Sequence, residues 1–195
     1  MSAVNEITIL LLNTVITLVM LAFLLRMLLQ LVRADFYNPI CQHLVKATNP
    51  VVLPLRRILP PLWSIDSASL LCALIVQAIG ITLLAQLYFG LFPNPAQILL
   101  WSVLGLCGAL LNIYFVAIIA SIILSWVAQG SYNPAVQLLQ QLTEPVMAPF
   151  RKLLPNMGGL DFSPILVFLL INVLEVILRH MAASVGLHPA LVLGI

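Results

Sequence analysis

Residues Tyr37 to Asp66 read YNPICQHLVKATNPVVLPLRRILPPLWSID, and residues Tyr132 to Asp161 read YNPAVQLLQQLTEPVMAPFRKLLPNMGGLD. Each match recurs at one spacing, 95 residues, as from 37 to 132, and no insertion interrupts it. Tyr37, Asn38 and Pro39 return as Tyr132, Asn133 and Pro134. Thr48, Pro50 and Val51 return as Thr143, Pro145 and Val146. Pro54, Arg56, Leu59, Pro60 and Asp66 return as Pro149, Arg151, Leu154, Pro155 and Asp161. Self-similarity in constant register marks an internal duplication, which sets the architecture before any helix is drawn.

Each copy lies between long apolar runs. Hydrophobic residues make up 63% of the 195-residue chain and charged residues 7%, against about 25% charged in soluble domains. The composition is that of an integral membrane protein. A net charge of +2, scattered outside the repeats, does not suggest a nucleic-acid partner. Cys41, Cys72 and Cys107 show no CxxC spacing, so neither a disulfide framework nor a metal site is expected. The opening MSAVNEITILL lacks a basic n-region and a small-residue cleavage site and is not read as a removable signal peptide.

About 20 apolar residues suffice to cross a bilayer. The runs predict four spans, at about 7–32, 67–91, 98–127 and 164–181, grouped as two tandem repeats over 1–95 and 96–195. The fold class is therefore all-α, with four transmembrane helices in two parallel repeats. Each repeat carries a proline-rich amphipathic interfacial segment, 37–66 and 132–161. Prolines at 50, 54, 60 and 61 are expected to break the first segment into short pieces, Ile40 to Ala47 and Pro50 to Leu59, and their counterparts to break the second. Asn38 with Pro39, Asn94 with Pro95, and Ser163 with Pro164 have the pairing of an N-cap and a first helical residue. Asp66, followed by Ser67 and Ser69, has the chemistry of an N-cap for the second span. The third run, over thirty residues and roughly 50 Å long, exceeds a hydrocarbon core of about 30 Å, so it is expected to tilt, kink or end early. Gly105 and Ala109 within it make a small-xxx-small pair that admits a neighbouring helix closely, with a kink as the alternative.

Six of the eight basic residues, Arg33, Lys46, Arg56, Arg57, Arg151 and Lys152, lie in or beside the repeated stretches, and the loop between the halves has none. The positive-inside rule places that side in the cytoplasm and both termini on the periplasmic or extracellular side. Two crossings per half relate the halves by a pseudo-two-fold axis along the membrane normal. Arg56, Arg57, Asp66, Arg151, Lys152 and Asp161 then form a paired rim for anionic headgroups or a partner protein; the aspartates either cap the next helix and also hold the arginines of their own copy, or only cap while the arginines only mark the inside.

Within the spans, Arg26, Asn172, Glu175 and Arg179 form the candidate intramembrane polar cluster. Arg26 shares a face with Gln30 and Arg33. One reading has it snorkelling to headgroups, the other has it partnering a carboxylate on another helix. Ser121 and Ser125 stand where the first half has Arg26 and Gln30. Glu175, roughly 16 Å into the fourth span, is expected to pair with Arg179 one turn on, with Arg26 or an ion as the other partners.

The TNPVVLPLRRILP and TEPVMAPFRKLLP segments, followed by SIDSAS and GGLDFSP, resemble the YggT family of bacterial membrane proteins, also called YlmG-type, with relatives in cyanobacteria and chloroplasts. The resemblance spans most of the chain. It implies a bacterial inner-membrane location and links to osmotic and envelope stress tolerance, to potassium uptake in enteric relatives, and to cell division and cytochrome assembly in others. It implies no catalytic residues. The first copy, ending WSIDSAS, lacks the glycines and proline of GGLDFSP, which sets the halves apart.

No nucleophile with a base, glycine-rich phosphate loop or metal-ligand spacing stands out, so neither an enzyme nor a cofactor is expected. Two functions remain open. One is a non-enzymatic membrane scaffold or assembly factor whose cytoplasmic rim binds anionic lipid headgroups, another membrane protein or a second copy of the chain. The other is a component of a cation (potassium) uptake or channel system. The first makes the rim indispensable; the second makes Arg26, Asn172 and Glu175 so.

Overall fold

The computed structural model describes residues 3–62, 64–127, 133–153 and 161–192. It contains six α-helices: α1 (Ala3–Leu31), α2 (Pro39–Ile58), α3 (Ser67–Phe89), α4 (Pro95–Val127), α5 (Pro134–Leu153) and α6 (Ser163–Ser184). No strand occurs among the described residues. α1, α3, α4 and α6 are each long and apolar enough to cross a membrane. Their exposed sides are apolar too, as with Ile7, Leu11 and Leu18 of α1 and Ile165, Leu169 and Val173 of α6. Such faces suit lipid, where a helix satisfies every backbone polar group within itself.

The repeat is visible helix by helix. α1 corresponds to α4, α2 to α5 and α3 to α6, and α2 and α5 start and stop 95 residues apart. Both of these bury matching positions: Cys41, Thr48 and Val52 in α2, and Val136, Thr143 and Met147 in α5. α2 also touches α5, with Asn38 Nδ2 donating to the Pro134 carbonyl at 2.7 Å, so both interfacial helices lie at one end of the bundle.

The expected fragmentation does not occur within Pro39–Ile58 or Pro134–Leu153, and the part of that expectation that falls on 154–160 lies outside the described residues. α2 runs through Pro50 and Pro54, and α5 through Pro145 and Pro149. An interior proline costs about 3 kcal/mol and frees the carbonyl four residues back. Here the two prolines of α2 are one turn apart and exposed, and the freed carbonyls belong to Lys46 and Pro50, also exposed. The opposite face, with Cys41, Thr48 and Val52 wholly or almost wholly buried, keeps the helix in one piece.

The predicted N-termini hold at three of four helices. Asn38 Oδ1 accepts from the Ile40 amide, Asp66 caps α3 through the Ser69 amide, and Asn94 Oδ1 accepts from the Gln97 amide at 2.8 Å. At α6 the cap moves. Ser163 is the first helical residue, and the Asp161 carboxylate accepts from its amide and hydroxyl. α4 neither breaks nor ends early but continues to Val127.

α1 packs along α3, α4 packs against α6, and the seam between the halves is α3 on α4. Among the described residues, α1 and α6 make no comparably close contact, so the two-fold expected from the sequence is approximate. The reason lies in residue size. Gly105 and Ala109 of α4 let α3 approach, and a Cβ added at Gly105 would stand 2.8 Å from Gln77 Nε2. The equivalent positions in α1 are Leu10 and Thr14, both exposed. At the end away from α2 and α5, the tail folds back after Gly186. Leu187, Leu191 and Val192 are buried there, and Trp101 Nε1 donates to the Val185 carbonyl at 3.1 Å.

Candidate functional site: two related polar centres

In the first half, polar side chains meet where α1, α2 and the start of α3 converge. Arg26 is 3% exposed. Its Nη1 donates to Thr48 Oγ1 at 2.6 Å and Asn49 Oδ1 at 2.9 Å, and less closely to the Val45 carbonyl at 3.4 Å. Thr48 accepts because its own proton goes to the Leu44 carbonyl at 2.7 Å, one turn back. Arg26 Nε lies 3.5 Å from Asp66 Oδ2 without a formed hydrogen bond, so that attraction is coulombic. Snorkelling is thus corrected: a long side chain already inside the bundle finds acceptors on α2 and has no need to reach for headgroups.

Asp66, 0% exposed, is the hub. It accepts from Arg56 Nε at 3.2 Å and from Arg56 Nη2, and from the amide and hydroxyl of Ser69. Arg56 Nη2 also donates to Gln30 Oε1 at 2.6 Å. Burial pushes the Asp66 carboxyl up, but the bonds from Arg56 and Ser69 outweigh it and hold it below the usual carboxylate range. This centre ties three helices together, and with two guanidinium groups on one carboxylate it is locally cationic.

In the second half, Arg151 Nε donates to Asp161 Oδ2 at 3.1 Å, and its Nη1 donates to Glu144 Oε1 and Oε2 at 2.9 and 3.1 Å. Burial of Arg151 acts downward on its pKa, but Glu144 and Asp161 drive it above its ordinary value. Burial likewise raises the Asp161 carboxyl, and the bonds from Ser163 and Arg151 bring it below. Here two carboxylates face one guanidinium, and Arg151 and Asp161 are 47% and 42% exposed. The closed centre has become an open one. Beside it lies a cavity of about 1150 Å³, lined by Ser121, Ser125, Thr143, Glu144, Arg151 and Asp161 on its polar side and by Ile122, Met147 and Phe168 among its apolar residues.

The other candidate residues separate. Arg57 and Lys152 are exposed and outside both networks, and Arg57 shares a shallow groove on α2 with Lys46. The rim is therefore two sets: Arg56 and Arg151 bound to aspartates, and Arg57 and Lys152 free to meet headgroups. The proposed cluster of Arg26, Asn172, Glu175 and Arg179 does not exist as one group. Arg179 pairs with Glu175 at 3.3 Å on α6, and Asn172 Nδ2 donates to the Phe168 carbonyl at 2.7 Å on the same helix. Arg26 is engaged elsewhere.

Sequence reasoning missed Thr48, Asn49 and Glu144 as partners. Asn49 and Glu144 were hidden by attention to matches at the 95-residue spacing, because they are departures: Arg26 becomes Ser121 and Asn49 becomes Glu144, each moving the second centre one charge toward negative, whereas Thr48 matches Thr143 and its role shows only where α2 meets α1.

Fold and centres together define a four-span membrane protein made of two tandem units of span, interfacial helix and span. The chain belongs to the CCB3/YggT family, whose model matches residues 5–87 and again 100–182. It is 46% identical over 193 residues to an uncharacterised protein of Pseudomonas aeruginosa, covering 98% of both chains. It is 38% identical over 178 residues to the YggT protein of Escherichia coli K12, covering 90% of this chain and 91% of that one. A 63-residue stretch is 43% identical to YlmG homolog protein 2, chloroplastic, of Arabidopsis thaliana, 32% of this chain and 24% of that protein. No solved structure matches.

Proposed function

We propose that the chain is a non-enzymatic scaffold or assembly factor of the bacterial inner membrane, linked to osmotic and envelope stress tolerance, and that it acts through α2 and α5 at the cytoplasmic surface. The observation that carries this reading is the pair of latches, Arg56–Asp66 and Arg151–Asp161, each fixing an interfacial helix to the start of the following span. A helix fixed in that way is a platform. Its inner face is anchored, while Lys46, Arg57 and Lys152 remain exposed for anionic headgroups or an acidic partner surface, each contributing about 1 kcal/mol near such a surface.

Potassium uptake has less to rest on. A route through the spans calls for polar groups facing one another across helices, whereas Glu175 and Arg179 pair within α6 and Arg26 is sealed against α2. The test is charge reversal at exposed positions, because reversal at Arg56 would also break a buried latch. Arg57→Glu with Lys152→Glu is expected to leave insertion intact, with Arg33, Lys46, Arg56 and Arg151 still marking the inside, and to remove growth at high osmolarity. Normal growth at normal protein level would count against the platform.

A further inference from the structure

We propose that the cavity between α4, α5 and α6 is a binding site for an organic cation, a guanidinium or primary ammonium group carried on an apolar stem, seated where the first half seats its own Arg26. The template is inside the molecule. In the first half, the Arg26 guanidinium is held by Thr48 Oγ1, Asn49 Oδ1, the Val45 carbonyl and the charge of Asp66. At the 95-residue spacing these acceptors become Thr143, Glu144, Gln140 and Asp161, and Thr143, Glu144, Gln140 and Asp161 all line the cavity. What is missing is the counterpart of Arg26, which Ser121 replaces; the guanidinium that is present, Arg151, bonds to Glu144 and Asp161 alone among these four.

Glu144 and Asp161 already accept from Arg151, and an ionised carboxylate keeps lone pairs for a further donor. Thr143, which lines the cavity, is 4% exposed, and its hydroxyl gives its proton to the Leu139 carbonyl at 2.9 Å, as Thr48 does to Leu44, which leaves its lone pairs free to accept. The change from Asn49 to Glu144 replaces a neutral acceptor by an ionised one, and charge-assisted hydrogen bonds are the stronger kind. Arg151 answers only one of the two negative charges. An inorganic ion alone would leave most of the space unfilled. At about 1150 Å³ the cavity is somewhat larger than the roughly 300 to 1,000 Å³ usual for ligand pockets, and Ile122, Met147 and Phe168 suit a hydrocarbon stem. Among the described residues, no three His, Cys, Asp or Glu side chains gather as a metal site.

Such a head group comes either from a free alkyl cation or from an aminophospholipid, and one experiment separates them. Full-length protein is placed in phosphatidylcholine nanodiscs, whose trimethylammonium head offers no N–H donor. n-Butylguanidinium is titrated in, or phosphatidylethanolamine is substituted for part of the lipid, and thermal unfolding and binding are followed. Saturable binding of n-butylguanidinium identifies a site for a free cation. A rise in unfolding temperature with phosphatidylethanolamine alone identifies a lipid site. In either case Ser121→Arg, which supplies the missing guanidinium from within, is expected to abolish the response and raise the unfolding temperature in phosphatidylcholine. Glu144→Gln, which keeps shape and removes charge, is expected to weaken the response at least tenfold and serves if the first variant does not fold. Absence of both responses in the wild type, or an undiminished response in Glu144→Gln, would overturn the site.

Discussion

Arg26 and Ser121 hold the same place in the two halves, 95 residues apart, and the polar centre that contains Arg26 is closed while the one beside Ser121 is open. With Arg26 in place, Asp66 is wholly buried. With Ser121 in its stead, Asp161 keeps its latch to Arg151 but stands beside a cavity.

The two aspartates should therefore differ in worth. Asp66→Asn strands Arg26 inside the bundle and releases Arg56, and breaking a buried pair costs about 3 to 5 kcal/mol. Asp161→Asn breaks a pair that is nearly half exposed, for which about 0 to 1 kcal/mol is usual. Reversible unfolding in mixed micelles should show the first loss to be several times the second. Equal losses would mean that the Arg26 centre does not hold the fold.

Acid should reveal the same hub. The folded Asp66 carboxyl lies below its ordinary value, so its contribution is complete above about pH 3.9 and is lost as pH falls through the lowered folded value. Asp161 acts with the same sign. Wild type is expected to lose stability on acidification below about pH 4, whereas Asp66→Asn is expected to show a shallower loss, the two curves converging. Parallel curves would remove Asp66 as the source.

Much of this was legible in the sequence for a physical reason: span length and the 95-residue register are imposed by the bilayer and by duplication, and both leave one-dimensional marks. The N-caps at Asn38, Asp66 and Asn94 were readable because capping is local. Continuity of α2 through Pro50 and Pro54 was not, since it depends on which face the prolines occupy once Cys41, Thr48 and Val52 are buried. The partners of Arg26 were hidden because Thr48 and Asn49 lie 22 and 23 residues away on another helix. The tail's return was hidden likewise, since only the folded bundle brings Val192 to Gly105.

Gly80 gives a test of the α1–α3 packing. A Cβ built there would stand 2.6 Å from Ile16 Cγ2, an atom fixed on a branched carbon and unable to swing away. Gly80→Ala is expected to cost about 1 to 3 kcal/mol by overpacking. Ile16→Ala removes the obstructing atom, so the double variant should cost less than the sum of the two singles. Strict additivity would place the two residues out of contact.

The positive-inside rule turns the gathering of basic residues into an expected topology that labelling can check. Single cysteines introduced at Ser2, Asn94 and Gly194 are expected to react with an impermeant thiol reagent from outside. Cysteines at Lys46 and Lys152 should react only after the membrane is opened. Labelling at Asn94 from the cytoplasmic side would invert the platform and remove the argument that α2 and α5 meet cytoplasmic partners.

The last prediction concerns the ion pair carried on α6. Glu175 and Arg179 are one turn apart at 3.3 Å, with Arg179 exposed, so each neutralises the other on a helix whose other exposed residues include Val173 and Val176. A lone charge near the bilayer centre costs at least about 2.5 to 3.5 kcal/mol, less whatever the long arginine recovers by reaching toward the interface. Glu175→Gln leaves Arg179 unanswered, whereas Glu175→Gln with Arg179→Gln leaves two neutral amides able to bond to each other or to backbone carbonyls. The double variant should therefore be more stable than the single in unfolding assays. If the pair serves packing, both variants should also leave stress tolerance and cation flux unchanged at equal protein level. Loss of a measured cation flux in the well-folded double variant would instead place these residues on an ion route and overturn the scaffold reading.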